Sequence, residues 1–148
     1  MIRVMKKSVL ALEAVLDIAY NARPEPVQSR EITDRQGIPN RYLEQVLQQL
    51  VRAGILRGVR GPRGGYTLAR ERRRITVAEV IRVTSSLDTE DSFQSNGDLG
   101  TLVIGPLCEQ AYADILARFE TLTLEDLCVD AREKGIKRAD GSLPDYSI

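Results

Sequence analysis

Residues 41–70 have the sequence RYLEQVLQQLVRAGILRGVRGPRGGYTLAR. In the first half of this stretch apolar residues recur at steps of three and four, which predicts an amphipathic helix that ends at Gly54. The buried positions predicted for this helix are Leu43, Val46, Leu47 and Leu50. Two short apolar runs follow, Ile55-Leu56 and Tyr66-Thr67-Leu68, and they predict the strands of a hairpin. The predicted order is a helix followed by a two-stranded wing.

The loop between the predicted strands is rich in glycine and arginine. Residues 58–66, GVRGPRGGY, contain four glycines, one proline and the arginines Arg60 and Arg63. A backbone with so few side chains can approach a partner closely. Two cations at its tip suit the groove of a DNA duplex better than a packed core. This stretch therefore predicts a DNA-binding protein.

Caps and helix breakers predict two helices before this stretch. The first covers residues 6–22 and ends at Arg23-Pro24-Glu25-Pro26. Its predicted buried face consists of Val9, Leu12, Val15, Leu16 and Ala19. The second helix begins at Ser29, its predicted N-cap, and stops at Gly37 in a left-handed conformation. Because only Gly37-Ile38-Pro39-Asn40 separates it from the next helix, the pair predicts a helix-turn-helix.

The second half of the chain is also predicted to be helical. One helix opens at Thr76-Val77-Ala78-Glu79, which has the capping-box pattern. Residues 87–100 are polar and acidic and predict a loop. A long helix over 106–122 follows, and another runs from Thr123 to Gly135. The tail, residues 136–148, is predicted to be unstructured in isolation. The predicted fold class is mainly α with a small β wing.

Composition excludes several classes of protein. The 43% hydrophobic content argues against disorder, and no apolar run approaches the ~18 residues of a membrane span. Glu13 and Asp17 interrupt the N-terminal apolar stretch, so we expect a helix there and not a signal peptide. With two cysteines, Cys108 and Cys128, and no targeting signal, we expect a cytoplasmic protein without a disulfide framework. The chain has no histidine and no nucleophile or phosphate-loop motif, so we do not expect an enzyme.

The formal net charge is zero, but the charges are divided between two parts of the chain. Residues 1–86 hold 16 Lys and Arg against 8 Asp and Glu, whereas residues 87–148 hold 5 against 13. A basic N-terminal module joined to an acidic remainder fits a DNA-binding unit attached to a part that does not touch DNA. A chance division of solvated charge is the alternative.

Two segments together form a distinctive pattern: YLEQVLQQLVRAGILRGVRGPRGGYTLAR, residues 42–70, and ITVAEVIRV, residues 75–83. They resemble the winged-helix core of the IscR/NsrR/CymR (Rrf2) family of bacterial transcription regulators, and the resemblance covers about residues 5–127. It implies a homodimer on double-stranded DNA, in which a long C-terminal helix joins the protomers and each protomer contacts one half-site of a pseudo-palindromic operator. The implied parts are a winged helix-turn-helix DNA-binding domain at 1–86, a loop in the sensor position at 87–105, dimerisation helices at 106–135 and a flexible tail at 136–148.

The resemblance also assigns roles to individual residues. The N-terminal part of the recognition helix is expected in the major groove, where Arg41 can donate to guanine and Glu44 can accept from cytosine N4. Arg60 is expected in the minor groove, with Arg63 beside it. Of the N-terminal helix only Lys7 is expected at the DNA. The full set of expected DNA contacts is Lys7, Ser29, Pro39, Asn40, Arg41, Tyr42, Glu44, Arg60, Gly61 and Arg63.

Structural alternatives stay open for these residues. Asn40 could only cap its helix, and Glu44 could only pair with Arg41 or Gln48. Tyr42 could pack in an interface or touch a phosphate. The wing glycines could only close the hairpin. For the long helix, the expected dimer contacts are Leu107, Ala111, Ile115 and Phe119.

Cluster-binding relatives carry three cysteines between the fourth helix and the dimer helix, because thiolates hold an iron–sulfur cluster. This chain has no cysteine in residues 87–105 and no histidine, so we expect neither an iron–sulfur cluster nor another metal. An atypical cluster that uses Cys108 or an acidic ligand is the alternative. Both Cys108 and Cys128 are expected to be small buried hydrophobic residues. The alternative is a redox-sensitive thiol at Cys108.

Relatives without cluster cysteines include the CymR type, which represses cysteine and sulfur genes together with O-acetylserine sulfhydrylase. That enzyme captures partner C-termini that end in isoleucine, and this sequence ends Asp145-Tyr146-Ser147-Ile148. The resemblance therefore implies that Tyr146 and Ile148 bind this enzyme. The alternative is that these C-terminal residues bind no partner.

These observations predict a sequence-specific repressor that acts as a homodimer in sulfur, cysteine or iron–sulfur metabolism. The alternatives are a protein-interaction adaptor and an atypical iron–sulfur or thiol sensor of the same fold. An adaptor would have no need of the basic stretch formed by Arg60, Arg63, Arg70 and Arg72–Arg74.

Overall fold

The computed structural model describes residues 2–85 and 96–145, and side chains from residue 6 onward. In chain order the elements are α1 Ile2–Tyr20, α2 Ser29–Gln36, α3 Asn40–Arg52, β1 Leu56–Val59, β2 Gly65–Leu68, a 3-10 turn Arg72–Arg74, α4 Val77–Ser85, a π-helical turn Leu99–Ile104, α5 Gly105–Phe119 and α6 Leu124–Glu133. Within these residues the fold is mainly α with a two-stranded antiparallel sheet, as predicted. None of the helices described is long and apolar enough to cross a membrane.

Helix α1 lies at the centre of the fold and packs against α2, α3, α4, α6 and β2. Its buried face differs from the predicted one, because Val9 is 48% exposed and Leu12 and Leu16 are only half-buried. Val15 and Ala19 are buried as predicted, and Ala11, Ala14 and Ile18 are buried in place of the other three. Apolar residues surround most of this helix, so their spacing did not select one face.

The helix-turn-helix forms as predicted. Gly37 ends α2 with φ 68° and donates its N–H to the carbonyl of Thr33. Gly54 follows α3 with φ 75°, and the N–H of Ile55 donates to the carbonyl of Leu50 over 3.0 Å. The predicted N-cap Ser29 is wrong by one residue: Gln28 is the extended residue before α2, and its N–H donates to the Glu31 carboxylate over 2.9 Å.

The wing is longer than the sequence predicted. Leu56 pairs with Leu68 and Val59 with Gly65, so β1 extends two residues into the glycine-rich segment. Two backbone bonds of 2.9 and 2.8 Å join Val27 to Tyr66 in an isolated bridge. The wing is therefore tied to the linker between α1 and α2.

Helices α4 and α6 close the core on the other side. Thr76 and Glu79 form the predicted capping box of α4, and Thr123 and Asp126 form that of α6. The side chains of Thr84 and Ser8 share a buried hydrogen bond of 2.8 Å between α4 and α1.

Helix α5 begins earlier than predicted. Helical structure starts at Leu99 rather than Pro106, so the predicted loop over 87–105 is wrong for its last seven residues. The first turn is π-helical: the N–H of Gly105 donates to the carbonyl of Gly100, and a Cβ at Gly105 would lie 3.1 Å from that oxygen. No residue from 99 to 119 is buried. The predicted loop residues 87–95 lie outside the described residues.

The segment after α6 was predicted to be a flexible tail, and this prediction is wrong for residues 136–145. The Tyr20 hydroxyl donates to the carbonyl of Ile136, and the N–H of Ala139 donates to Asn21 Oδ1 over 2.8 Å. Arg138 donates to the carbonyl of Tyr20 over 3.0 Å, and Pro144 is buried. Polar groups at the end of α1 thus satisfy backbone groups of a segment that has no regular secondary structure.

Candidate nucleic-acid interface

The two sides of α3 have opposite character. Its apolar side is buried as predicted, with Leu43, Val46, Leu47 and Leu50 each at most 4% exposed. Its other side is exposed and carries Asn40, Arg41, Tyr42, Glu44, Gln45 and Gln48. The exposed side begins directly after the turn, so the N-terminal half of the helix presents its polar groups to solvent.

The structural alternatives for Asn40 and Glu44 are not observed among the described residues. Pro39 is the N-cap of α3, and no side chain makes a capping bond there. Neither Arg41 nor Glu44 forms an ion pair or a side-chain hydrogen bond with a described residue. Both side chains remain available to a partner.

The wing ends in a tight turn. The N–H of Gly64 donates to the carbonyl of Gly61 over 2.9 Å, which places Pro62 and Arg63 at the central positions of the turn. Gly61 has φ 112°, a conformation that disfavours residues with a Cβ. Arg60 directly precedes the turn, and Arg60 and Arg63 are both exposed.

The wing glycines have two different roles. A Cβ at Gly64 would lie 2.3 Å from the carbonyl oxygen of Val59, and one at Gly65 would lie 2.4 Å from that of Val27. These two glycines are required by the hairpin and by its attachment to the linker. Gly58 and Gly61 have nothing within 4 Å of an added Cβ, so the surface beside them is open to a partner.

A cleft of about 650 Å³ separates the wing from the start of α2. Gln28, Ser29 and Arg30 line one wall, and Arg60 and Tyr66 belong to the other. Ser29, an expected DNA contact, thus lies at this cleft and not at the exposed side of α3. Lys7 is half-buried in α1, and its expected DNA contact stays a prediction.

The position of α2 is set by Asp17, which in the sequence was noted only as an interruption of the N-terminal apolar stretch. The Asp17 side chain has no exposed surface, and it accepts hydrogen bonds from Arg35 Nε over 2.9 Å and from Gln36 Nε2 over 2.8 Å. The hydrogen bond to Asp17 raises the pKa of Arg35, although burial lowers it. An acidic residue between Leu16 and Ile18 on an otherwise apolar stretch was the available signal.

The basic stretch after the wing has partners within the protein. Arg70 pairs with Glu79, Arg72 with Glu125, and Arg73 with Glu71, and the Arg74 guanidinium lies 3.8 Å from the Glu71 carboxylate. The expectation that only DNA could explain these arginines was wrong, because each has an acidic neighbour. Of the arginines in the predicted basic stretch, only Arg60 and Arg63 have no acidic neighbour among the described residues.

In the described N-terminal part of the chain, arginines without an ion pair lie in three elements, α2, α3 and the wing. Of the arginines between residues 6 and 85, seven form ion pairs with described residues: Arg23, Arg35, Arg70, Arg72, Arg73, Arg74 and Arg82. The six without an ion pair there are all exposed and lie in α2, α3 and the wing: Arg30, Arg41, Arg52, Arg57, Arg60 and Arg63. Uncompensated positive charge therefore collects on the helix-turn-helix and the wing.

The cysteines differ from each other. Cys128 is buried in α6 as predicted, whereas Cys108 is exposed on α5, so the prediction of a buried hydrophobic residue is wrong for Cys108.

The predicted dimer contacts lie on the same helix, α5. Leu107 is 63% exposed and Ile115 is 36% exposed, while Ala111 and Phe119 are half-buried. Tyr146 and Ile148, the expected contacts of O-acetylserine sulfhydrylase, lie outside the described residues, and this partner stays a prediction.

The donor set does not fit a cysteine-ligated iron–sulfur cluster. The chain has two cysteines and no histidine, and one of the cysteines is buried in the core. Within residues 6–85 and 96–145, no group of three or more His, Cys, Asp and Glu side chains could hold a metal ion. A cluster needs more thiolate ligands than one protomer can supply at its surface.

The chain is similar in sequence to known transcriptional regulators. The family described as Rrf2, iron-dependent transcriptional regulators, matches residues 4–130. The regulator IscR of Xenorhabdus nematophila is 45% identical over 87 residues, which cover 58% of this chain and 53% of that protein. IscR of Escherichia coli O1:K1 is 42% identical over 87 residues, again 58% of this chain and 54% of the relative. The chain spans little more than half the length of these relatives.

Solved structures agree with the fold. The structure of IscR from T. potens matches with a TM-score of 0.68 and 33% identity, covering 90% of this chain and 91% of that one. CymR of B. subtilis, a global cysteine regulator, matches with a TM-score of 0.62 and 24% identity, covering 84% of this chain and 94% of that one. The second similarity bears on the fold alone.

Proposed function

Because the chain belongs to the Rrf2 family of transcriptional regulators, we propose that it binds duplex DNA through α3 and the wing and regulates transcription as a homodimer. The observation that carries the proposal is the distribution of arginines. Six exposed arginines without an acidic partner among the described residues lie in α2, α3 and the wing, and the others between residues 6 and 85 are paired. Exposed cations without acidic partners can bind the phosphate backbone of DNA and release its counterions.

Sequence specificity is assigned to the exposed side of α3. Arg41 and Glu44 are one helical turn apart, exposed and unpaired among the described residues, so both can reach base edges in a major groove. Pro39 and Asn40 start the helix and approach the bases first, while Tyr42 is placed for a phosphate contact. Base recognition is thus proposed for a few residues at the N-terminal end of α3.

The wing is assigned to the minor groove. Arg60 directly precedes the turn, and Arg63 lies at one of its two central positions, so both exposed side chains can reach a groove beside the phosphate backbone. Arginine side chains favour a narrow minor groove because its negative potential is enhanced. The wing therefore adds affinity at positions that α3 does not touch.

The homodimer is proposed to form through α5. Helix α5 and the π-helical turn before it expose large apolar residues: Leu99, Leu102, Val103, Ile104, Leu107 and Ile115. Packing against α4, with an ion pair between Arg82 and Glu120, holds one end of the helix on the domain. An apolar face of this extent marks an interaction surface, and a second copy of α5 related by a two-fold axis covers it with like residues.

We further propose that the protein is a repressor of sulfur, cysteine or iron–sulfur genes, an assignment supported by the resemblance to the family. Deletion of the gene should raise the transcripts of its targets, and re-expression should lower them again. Transcripts that fall on deletion would identify an activator instead.

DNA binding is tested by fluorescence anisotropy with labelled duplexes from the region upstream of the gene. A shuffled duplex of equal length and composition is the comparison. We expect specific binding to exceed random binding by roughly 10³-fold or more. Arg60→Ala should weaken both, whereas Glu44→Ala should cost the specific duplex ~1 to 3 kcal/mol and leave the random one unchanged. Failure of every upstream duplex to bind better than the shuffled one contradicts the proposal.

A further inference from the structure

The cleft between α2 and the wing is a candidate binding site that is separate from the contacts assigned to α3 and the wing tip. Its volume is about 650 Å³, and it lies between the first residues of α2 and the strands and turn of the wing. The backbone bridge between Val27 and Tyr66 holds both walls at a fixed separation. The cleft is therefore a preformed feature of the domain.

The charged residues that line this cleft are all positive. Arg30 stands on the α2 wall and Arg60 on the wing wall, and neither has an acidic partner among the described residues. No aspartate or glutamate belongs to the described residues that line it. Ser29 adds a hydroxyl group that can donate a hydrogen bond. Two guanidinium groups and a hydroxyl on facing walls form a site for a phosphodiester group.

The position of the cleft connects it to the DNA-binding side of α3. Val51 is one of its lining residues. In a helix, Glu44, Gln48 and Val51 follow one another at steps of four and three and lie along one side. A strand of DNA whose bases meet Glu44 and that continues along this side of α3 thus passes this cleft before the wing tip.

We propose that the cleft binds one backbone phosphate of the operator between the major-groove and minor-groove contacts, and that Arg30 holds this phosphate from the α2 side, opposite the wing wall from which Arg60 extends towards the minor groove. The inference rests on the proposed DNA-binding function and adds Arg30 to it as a positioning contact. A phosphate held between these two walls sets the register of α3 and the wing on the duplex, although it carries no base specificity.

The salt dependence of binding tests Arg30. Arg30→Ala should reduce the slope of log affinity against log salt by about 0.9, the value for one phosphate contact. The affinities for operator and shuffled DNA should fall by the same factor. Arg30→Lys should keep the slope because it keeps the charge. Arg73→Ala is the matched control: it removes the same charge from the same module, but Arg73 is paired with Glu71 at 2.6 Å and does not line the cleft.

Phosphate ethylation interference provides a readout that affinity alone does not. With the wild type, ethylation of one phosphate between the two grooves should inhibit binding, and with Arg30→Ala this position should become insensitive. If Arg30→Ala and Arg73→Ala give the same interference pattern and the same salt slope, Arg30 does not contact this phosphate. In that case binding of the operator by the wild type still supports the proposed function. Failure of the wild type to bind any upstream duplex refutes the proposed function, and the assignment to Arg30 with it. Because Arg30 is exposed, unchanged thermal unfolding should accompany the substitution.

Discussion

Asp17 of α1 and Arg35 of α2 form a two-point ion pair, with Arg35 Nε 2.9 Å from one carboxylate oxygen of Asp17 and a terminal guanidinium nitrogen 2.7 Å from the other. The Asp17 side chain is fully buried, whereas that of Arg35 is 24% exposed. Arg35 lies two residues before Gly37, where the turn to α3 begins. The pair therefore holds the helix-turn-helix on the core at the residue next to its turn.

The unequal burial of these two residues predicts unequal effects of replacing them. Arg35→Ala leaves a buried carboxylate with only Gln36, and we expect a loss of about 3 to 5 kcal/mol in the free energy of unfolding. Asp17→Asn leaves Arg35 able to turn to water, so we expect a smaller loss of about 1 to 3 kcal/mol. Urea denaturation measures both. Arg73→Ala removes an exposed pair and should leave the free energy of unfolding almost unchanged. A larger loss of stability for Asp17→Asn than for Arg35→Ala would contradict this expectation.

Glu31 makes the start of α2 sensitive to acid. Partial burial raises the pKa of Glu31, but hydrogen bonds from the Gln28 N–H and from Arg23 outweigh it and lower the pKa below its ordinary value of 4.5. A lowered folded-state pKa contributes stability that is present above the unfolded value and is lost as the pH falls through the folded value. The stability difference between the wild type and Glu31→Gln should therefore be full at neutral pH and shrink below about pH 4.5.

Denaturation of both proteins from pH 7 to pH 3 measures that difference. Glu13→Gln, on an exposed position of α1, controls for the loss of one carboxylate. A difference between the wild type and Glu31→Gln that stays constant down to pH 3 would show that Glu31 does not stabilise the start of α2.

The dimer is predicted to depend on the exposed apolar side of α5. Ile115→Asp places an unpaired charge there, and its desolvation should shift sedimentation towards the monomer and abolish operator binding. Ile136→Asp changes an equally aliphatic residue that is 53% exposed outside α5, and it should stay dimeric. A tight dimer with Ile115→Asp would place the protomer contact elsewhere.

Purified protein, prepared anaerobically, is predicted to be colourless and to bind its operator without iron. The reason is the donor set, because the chain has only two cysteines, of which Cys128 is buried. Iron and sulfide assays together with a visible absorption spectrum check this. Stoichiometric iron and sulfide with charge-transfer absorption would contradict it and would bring Cys108 or acidic ligands forward as donors.

Local signals in the sequence were sufficient to predict the helix-turn-helix and the wing. Gly37 and Gly54 end their helices in left-handed conformations, and the capping boxes at Thr76 and Thr123 begin theirs. Each of these features depends on residues within three or four positions, so the sequence alone predicts it. The exposure of Arg60 and Arg63 at the tip of the wing was predicted from the glycine-rich turn in the same way.

Contacts between distant segments were the part that could not be predicted. Asn21 binds the backbone of Ala139 across 118 positions, and Arg72 pairs with Glu125 across 53. Neither contact produces a local sequence pattern from which it could be predicted. The tail was therefore predicted to be free, and the arginines after the wing were assigned to DNA. The docking of α2 by Asp17 was missed for the same reason.

The salt dependence of operator affinity tests the central claim most directly. If α3, the cleft and the wing of two protomers neutralise on the order of 6 to 10 phosphates, a plot of log affinity against log salt should have a slope of about −5 to −9. The measurement is an anisotropy titration of the operator duplex at five or more salt concentrations. A steep slope within this range is the predicted result. A flat response would contradict the claim that this arginine-rich surface binds DNA.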